Sequence, residues 1–198
     1  MNRFEAGWLK ACIIVALGST TSCVTALSQE TNLIIIAPQT RLEAFDTNTG
    51  IVIIKASFDV GTVAANNGGL AIKCREITDA STGRREYGIS VELAIDGGRR
   101  DVRMIDYEEL QPLLGAVDYL NRVDWSVTTL SSFDALYTTK SGFRVTAFSS
   151  RRSGVIEFAV RSVPADMPRL VLSRDQVAVF RNALQQAKEK LDAIRQSK

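Results

Sequence analysis

The segment VIIKASFDV at residues 52–60 returns as VTTLSSFDA at residues 127–135, with valine, serine, phenylalanine and aspartate at matching positions. Downstream, ELAI at residues 92–95 aligns with EFAV at residues 157–160, and the apolar positions of residues 106–120 align with those of residues 173–187. The offset falls from about 75 to about 67 residues along the chain. An internal period of this size predicts a duplicated structural unit with short loop insertions.

The first repeated unit spans residues 51–125 and has a strand pattern. Runs rich in β-branched residues are separated by turn sequences with asparagine, glycine and serine. They predict four strands, at residues 51–59, 70–78, 86–96 and 101–105. A helix is expected to follow, with Asp106 as its N-cap, Glu109 completing a capping box and an end near Arg122.

The second unit, residues 126–198, has the same order of elements. Its strands are predicted at residues 127–138, 143–149, 155–162 and 170–172. Ser173 and Gln176 have the spacing of a capping box for the last helix. The apolar residues of that helix are spaced three and four apart in alternation: Val177, Phe180, Leu184, Ala187, Leu191 and Ile194. This seam either packs against a sheet or the other helix within the molecule, or forms a dimeric coiled coil.

Residues 29–50 form an extension before the repeats. A short helix is expected at residues 41–47, begun by a capping box of Thr40 and Glu43. The two tandem units of four strands and one helix predict an α+β fold in which curved antiparallel sheets pack with helices. We expect residues 51–198 to form one compact, pseudo-symmetric domain.

Residues 1–28 have the pattern of a signal peptide. Arg3 and Lys10 precede an apolar run at residues 11–17 that is too short to span a bilayer, and small residues allow cleavage before Leu27 or Gln29. A buried N-terminal helix is the alternative. Cys23 follows small residues, as does the lipidated cysteine of bacterial lipoproteins, so a lipid anchor competes with a soluble secreted product. We expect export, to the periplasm or the medium, with membrane contact only through the signal peptide or that anchor.

The types of residue present argue against catalysis. No histidine occurs in the 198 residues, which removes the commonest general base and the commonest metal ligand. Asp101 is expected to lie in a strand, and Glu108 is expected at the start of the first long helix, where negative charge is favoured by the helix dipole. Cys74 shares a strand face with Leu70 and Ile72, so we expect an inert thiol in the core. We predict no catalytic residue, no cofactor and no metal site.

Charge is divided unevenly between the two units. The formal charge is about -3 for residues 51–125 and about +6 for residues 126–198, on a chain whose net charge is +2. The hairpin predicted in residues 137–152 interleaves aromatic and basic side chains, which suits polyanion binding by stacking and charge. Its candidate binding residues are Tyr137, Lys140, Arg144, Arg151 and Arg152. The simpler alternative places alternate aromatic residues in the core and leaves the arginines solvated.

The order of four strands and one helix, given twice over residues 51–190, resembles that of the Whirly and PUR types of single-stranded nucleic acid binders. The resemblance implies the architecture and assigns no binding residue in this chain. Export disfavours nucleic acid as the ligand. Our first hypothesis is an exported, non-enzymatic scaffold that binds a macromolecule, either a protein or an envelope polymer. The alternative is polyanion or single-stranded nucleic acid binding through the basic hairpin.

Overall fold

The secondary structure runs along the chain as sheet, helix, sheet, helix. A computed structural model describes residues 39–149, 154–163 and 169–197, all within one compact unit. The helices in these ranges are α1 (Arg41–Asp46), α2 (Tyr107–Arg122), α3 (Arg174–Gln196) and a 3-10 helix at Trp125–Val127. The strands are β1 (Ile53–Ala65), β2 (Gly68–Asp79), β3 (Arg85–Ile95), β4 (Arg99–Asp106), β5 (Asp134–Thr138), β6 (Phe143–Ser149), β7 (Ile156–Ser162) and β8 (Leu170–Leu172).

The strands form two antiparallel sheets of four. The first sheet has the order β1-β2-β3-β4 and the second has the order β5-β6-β7-β8, so chain neighbours are always sheet neighbours. The predicted α+β fold of antiparallel four-stranded sheets with helices is confirmed. Because side chains alternate along a strand, each sheet has an inner face toward the shared core and an outer face on the opposite side.

The two inner faces and the two long helices share one hydrophobic core. The apolar seam of α3 lies in it, with Val177, Phe180 and Leu184 all buried, so this seam packs within the molecule. A smaller cluster joins α1 to the outer face of the first sheet, where Leu42 packs with Ile77. Within the described ranges, no helix combines the length and the apolar character needed to cross a membrane.

The strand predicted at residues 127–138 is wrong over its N-terminal part. The 3-10 helix occupies the start of this stretch, and only Asp134–Thr138 is a strand. The Asp124 carboxylate accepts the N–H of Ser126 at 2.8 Å. The Trp125 ring meets Phe133 edge-on, with 5.7 Å between ring centroids. This local cap and aromatic contact stabilise a compact turn, so only five residues remain to pair with β6.

Two predicted capping boxes are present, at Thr40 with Glu43 and at Ser173 with Gln176. The third, at Asp106 with Glu109, is wrong because neither carboxylate caps α2.

The Asp106 carboxylate instead binds N–H groups at the start of α1. This buried carboxylate accepts the backbone N–H of Arg41 at 3.0 Å and that of Leu42 at 3.1 Å. The first turn of a helix has N–H groups with no partner in that helix, and the packing of α1 against β4 brings those of α1 to Asp106. Glu109 accepts the N–H of Lys140 at 2.8 Å.

In each sheet, the turn between the first two strands contacts the last strand of the other sheet. In the turn between β1 and β2, Asn66 donates its N–H to the carbonyl of Val171 in β8 at 3.0 Å. Beside it, the Asn67 carboxamide accepts the Val171 N–H at 3.1 Å and donates to the Arg169 carbonyl at 2.9 Å. In the turn between β5 and β6, the Ser141 carbonyl accepts from Arg103 of β4 at 3.1 Å. The two sheets are therefore joined by reciprocal contacts of a first turn with a fourth strand.

Candidate functional site

The outer face of the second sheet is the candidate functional site. In β6, Phe143, Val145 and Ala147 are buried on the inner face, so Arg144 and Thr146 point outward. The strand pairing places outward residues opposite one another. The pairs are Thr138 with Arg144, Leu136 with Thr146, Arg144 with Arg161, and Thr146 with Ala159.

A groove of about 250 Å³ lies on this face. We call this surface the arginine face. Its lining residues are Asp134, Leu136, Arg144, Thr146, Phe148, Ala159, Arg161 and Arg169.

Three guanidinium groups dominate the charge of the arginine face. Arg144 and Arg161 are directly opposite each other on β6 and β7, an arrangement that places like charges at cross-strand distance and is destabilising by itself. In the described part of the chain, no carboxylate oxygen lies within 4.0 Å of the charged nitrogens of Arg144, Arg161 or Arg169. Arg144 instead has a neutral hydrogen-bond partner: its Nε donates to the Thr138 hydroxyl at 2.8 Å.

The acidic residue of the groove lies at its other end. Asp134 is opposite Phe148 and four residues from Thr138 along β5, which corresponds to roughly 13 Å at the usual rise of an extended strand. The Arg144–Arg161 pair is therefore at one end of the groove, and the Asp134 carboxylate is at the end that also holds Phe148.

An aromatic ring lies beneath the third arginine. The guanidinium carbon of Arg169 is 4.3 Å from the centroid of the Phe148 ring, a cation–π distance, and Phe148 is only 8% exposed. The carbonyl of Arg169 is fixed by the side chain of Asn67. The arginine face therefore includes a stacked pair whose backbone is anchored to the first sheet.

The predicted binding residues separate in the structure. Arg144 lies on the arginine face, whereas Tyr137 lies on the inner face and packs against the core. Burial raises the pKa of Tyr137, and the nearby Glu109 carboxylate adds to this effect. Lys140 is exposed in the turn between β5 and β6, where its N–H is bound to Glu109.

The remaining candidates, Arg151, Arg152 and Cys23, lie outside the described residues. The prediction that alternate aromatic residues enter the core holds for Phe143 but not for Phe148. These two residues are five positions apart, so an extended strand places them on opposite faces.

Sequence reasoning missed Arg161 and Arg169. Arg161 lies between Val160 and Ser162, both buried, and this alternation alone would have placed it on the outer face. The position of Arg161 opposite Arg144 depends on the register of β6 and β7. The position of Arg169 depends on where the three-residue strand β8 lies.

The thiol in the described residues lies in the core, away from the arginine face. Cys74 is buried beneath α3, its Sγ lies 3.5 Å from the Ala187 carbonyl, and burial raises the pKa of its thiol to about 11. A thiol with this pKa is almost wholly protonated near neutral pH and is a weak nucleophile. Over the same ranges, no three residues among His, Cys, Asp and Glu are grouped so that they could hold a metal ion.

No protein-family model and no curated protein sequence matches this chain. Two solved plant structures show a weak likeness. The transcriptional regulator PBF-2 has a TM-score of 0.29 and 13% identity, over 74% of this chain and 88% of its own. WHY1 from Arabidopsis thaliana has a TM-score of 0.29 and 12% identity, over 74% of this chain and 93% of its own. TM-scores this low carry no argument about function.

Proposed function

We propose that this chain is an exported, non-enzymatic binding protein that holds an anionic macromolecule against its arginine face. The observation that carries the proposal is that three guanidinium groups line one groove and, in the described residues, none of them has a carboxylate within 4.0 Å. Guanidinium groups bind phosphate, sulfate and carboxylate groups through paired, charge-assisted hydrogen bonds.

The spacing on the face suits a polymer with repeated negative groups. Opposite Cβ atoms of Arg144 and Arg161 are about 5 Å apart by cross-strand geometry, so both side chains can reach one anionic group or two neighbouring groups. An anion between them also removes their mutual repulsion. Leu136, which is 54% exposed on the same face, offers an apolar contact for the body of the polymer.

Retention on immobilised heparin tests the proposal, with heparin as a probe for sulfated and carboxylated polymers. The wild-type chain is expected to bind at low salt and to elute as salt rises, because the interaction is screened. The double variant Arg144→Glu with Arg161→Glu is expected to elute much earlier. Arg100→Glu is the matched control, since Arg100 lies on the first sheet and pairs with Glu92 at 3.2 Å. Passage of the wild-type chain through heparin without any retention would remove the support for this function.

Single-stranded nucleic acid is the second candidate ligand. The Phe148 ring on the arginine face favours it, because a base can stack on an aromatic ring while arginines contact the phosphates. Binding of a base requires Arg169 to move off the ring. A Phe148→Leu variant should therefore weaken binding of a single-stranded oligonucleotide and leave heparin retention unchanged. Equal losses for both probes would argue against stacking.

The two halves are proposed to derive from one duplicated unit of four strands and a helix, with the Whirly and PUR type of element order. The strand order supports this, because in both sheets each strand lies beside its neighbour in the chain, β1-β2-β3-β4 and β5-β6-β7-β8. The helices α2 and α3 begin 67 residues apart. The reciprocal turn contacts between the sheets also fit a pseudo-two-fold arrangement.

Export is proposed from the sequence of residues 1–28, which lie outside the described residues. The intact mass of the protein, made with its natural N-terminus in a bacterial host, tests it. Loss of residues before Leu27 or Gln29 would support a secreted product, and a lipid mass on Cys23 would support an anchor. Retention of residues 1–28 would favour the buried N-terminal helix.

A further inference from the structure

We propose that β1 pairs with β1 of a second copy of this chain, antiparallel and about a two-fold axis at Ser57. The strand is 13 residues long and ends the first sheet, and no other strand in the described residues pairs with its outer edge. A long strand edge presents unpaired N–H and C=O groups to which another strand can be added. This inference does not rest on the anion-binding proposal, because it concerns the edge of the other sheet.

The other edges of the two sheets are short or covered. The edge of β8 is bound by the Asn66 backbone and the Asn67 carboxamide. At β4, the side chains of Asp101 and Arg103 contact Ser162 and Ser141 of the second sheet. The remaining edge strand, β5, has five residues. The edge of β1 is thus the long, accessible one in the described part of the chain.

The hydrogen-bond pattern of β1 fixes which residues a partner strand would meet. Ala80 donates its N–H to the Val52 carbonyl at 3.0 Å, so Val52 points its backbone groups toward β2. The same orientation recurs every second residue, which includes Ile54. Lys55, Ser57 and the other odd-numbered residues up to the bulge after Asp59 therefore point their N–H and C=O groups to the outer edge.

An antiparallel pair centred on Ser57 matches charges on the outer side of the sheet. It places Lys55 of each copy opposite Asp59 of the other, twice per dimer, with the two Ser57 residues opposite each other. Opposite charges in such cross-strand pairs stabilise a sheet, and like charges destabilise it. This self-complementarity is the reason for assigning the edge to a second copy of the same chain.

The same register matches apolar side chains on the helix side. It places Phe58 opposite Ala56 and Ile54 opposite Val60 of the partner copy. Ile54 is 55% exposed and Phe58 is 51% exposed in the single chain. The Lys190 ammonium group lies over the Phe58 ring, 5.0 Å from its centroid. Pairing would cover these side chains with apolar neighbours and extend the first sheet to eight strands.

Light scattering after size exclusion, over a range of protein concentrations, tests the proposal. The wild-type chain is expected to have the mass of a dimer. Lys55→Asp and Asp59→Lys should each raise the dimer dissociation constant at least about tenfold, because each puts like charges opposite each other twice. The double variant Lys55→Asp with Asp59→Lys should restore the dimer, and this restoration also shows that the altered strand still folds.

Asp46→Asn is the matched control, because it removes the ion pair between Asp46 and Lys55 within one chain without changing the edge. It is expected to remain dimeric. A wild-type monomer at every concentration, as expected if another segment of the same chain covered β1, would overturn the proposal. So would a dimer that persists in both single variants, or one that is lost in Asp46→Asn.

Discussion

The outer faces of the two sheets differ in how several of their basic residues are paired. On the first sheet, Lys73 pairs with Asp59 at 2.9 Å and Arg100 pairs with Glu92 at 3.2 Å. On the second sheet, Arg144 lies opposite Arg161, and neither has a carboxylate partner in the described residues. Both faces are built from antiparallel hairpins with the same alternation of side chains. Whether a basic residue has an ion-pair partner therefore depends on which residues lie opposite it in the sheet, more than on the net charge of its half of the chain.

The largest expected effect comes from reversing the charge of the second face. Arg144→Glu with Arg161→Glu should weaken heparin binding about a hundredfold or more, because hydrogen bonds to charged groups are worth roughly 1.5–3 kcal/mol each. Affinity measured by titration at fixed salt checks this. Arg100→Glu on the first face makes half this change in net charge and should change affinity little, whereas a free-energy loss half as large would mean that only total charge matters.

An ion pair of the kind found on the outer face of the first sheet can also be introduced on the second. Thr138 is exposed on β5 opposite Arg144, so Thr138→Glu should create a cross-strand ion pair. We expect about tenfold weaker heparin binding, together with a stability gain of roughly 0.2–1 kcal/mol from the new pair. Thr138→Gln is the matched control, with the same length and no charge. Heparin affinity and urea unfolding, measured on both variants, separate charge from shape.

A smaller effect is expected when the like-charge pair is relieved. Arg161→Thr places a residue suited to strands at this exposed position and removes the repulsion with Arg144, so the free energy of unfolding should rise by roughly 0.2–1 kcal/mol. Urea unfolding at low salt checks this, and the gain should shrink at high salt. On the first sheet, Arg100→Thr removes an attraction and should not stabilise. A loss of stability in Arg161→Thr would contradict the idea of a strained face.

The smallest expected effect concerns acid sensitivity in the first sheet. In the turn between β2 and β3, the Asp79 carboxylate accepts from the Ser81 and Thr82 hydroxyls and from their N–H groups, which lowers its pKa from 3.8 to about 2. A lowered pKa contributes stability that is complete above about pH 4 and is lost as the pH falls toward 2.

Thermal unfolding from pH 5 to pH 2 checks this, with Asp79→Asn as the comparison. The asparagine variant should be less stable at pH 5 and should lose less stability on acidification. An identical acid dependence in both proteins would show that other carboxylates control this transition.

Much of the fold could be predicted from local sequence. The turn glycines and the β-branched runs located seven of the eight strands, and the spacing of Ser173 and Gln176 located the start of α3. The strand predicted at residues 127–138 is wrong only before Asp134, because Asp124 and Trp125 favour a turn through contacts that the strand pattern does not register. The candidate site was predicted only in part. Arg144 was identified, and its two basic neighbours were not.

The order of the elements, the faces of the strands and the caps of α1 and α3 follow from local sequence. These depend on residues within a few positions of one another, where alternation and short hydrogen bonds act. In contrast, long-range packing brings Asp106 to Arg41 of α1, 65 residues away, and strand pairing brings Arg144 of β6 to Arg161 of β7. Such neighbours depend on strand register, which turn lengths and packing of the whole core set together, so no local pattern records them.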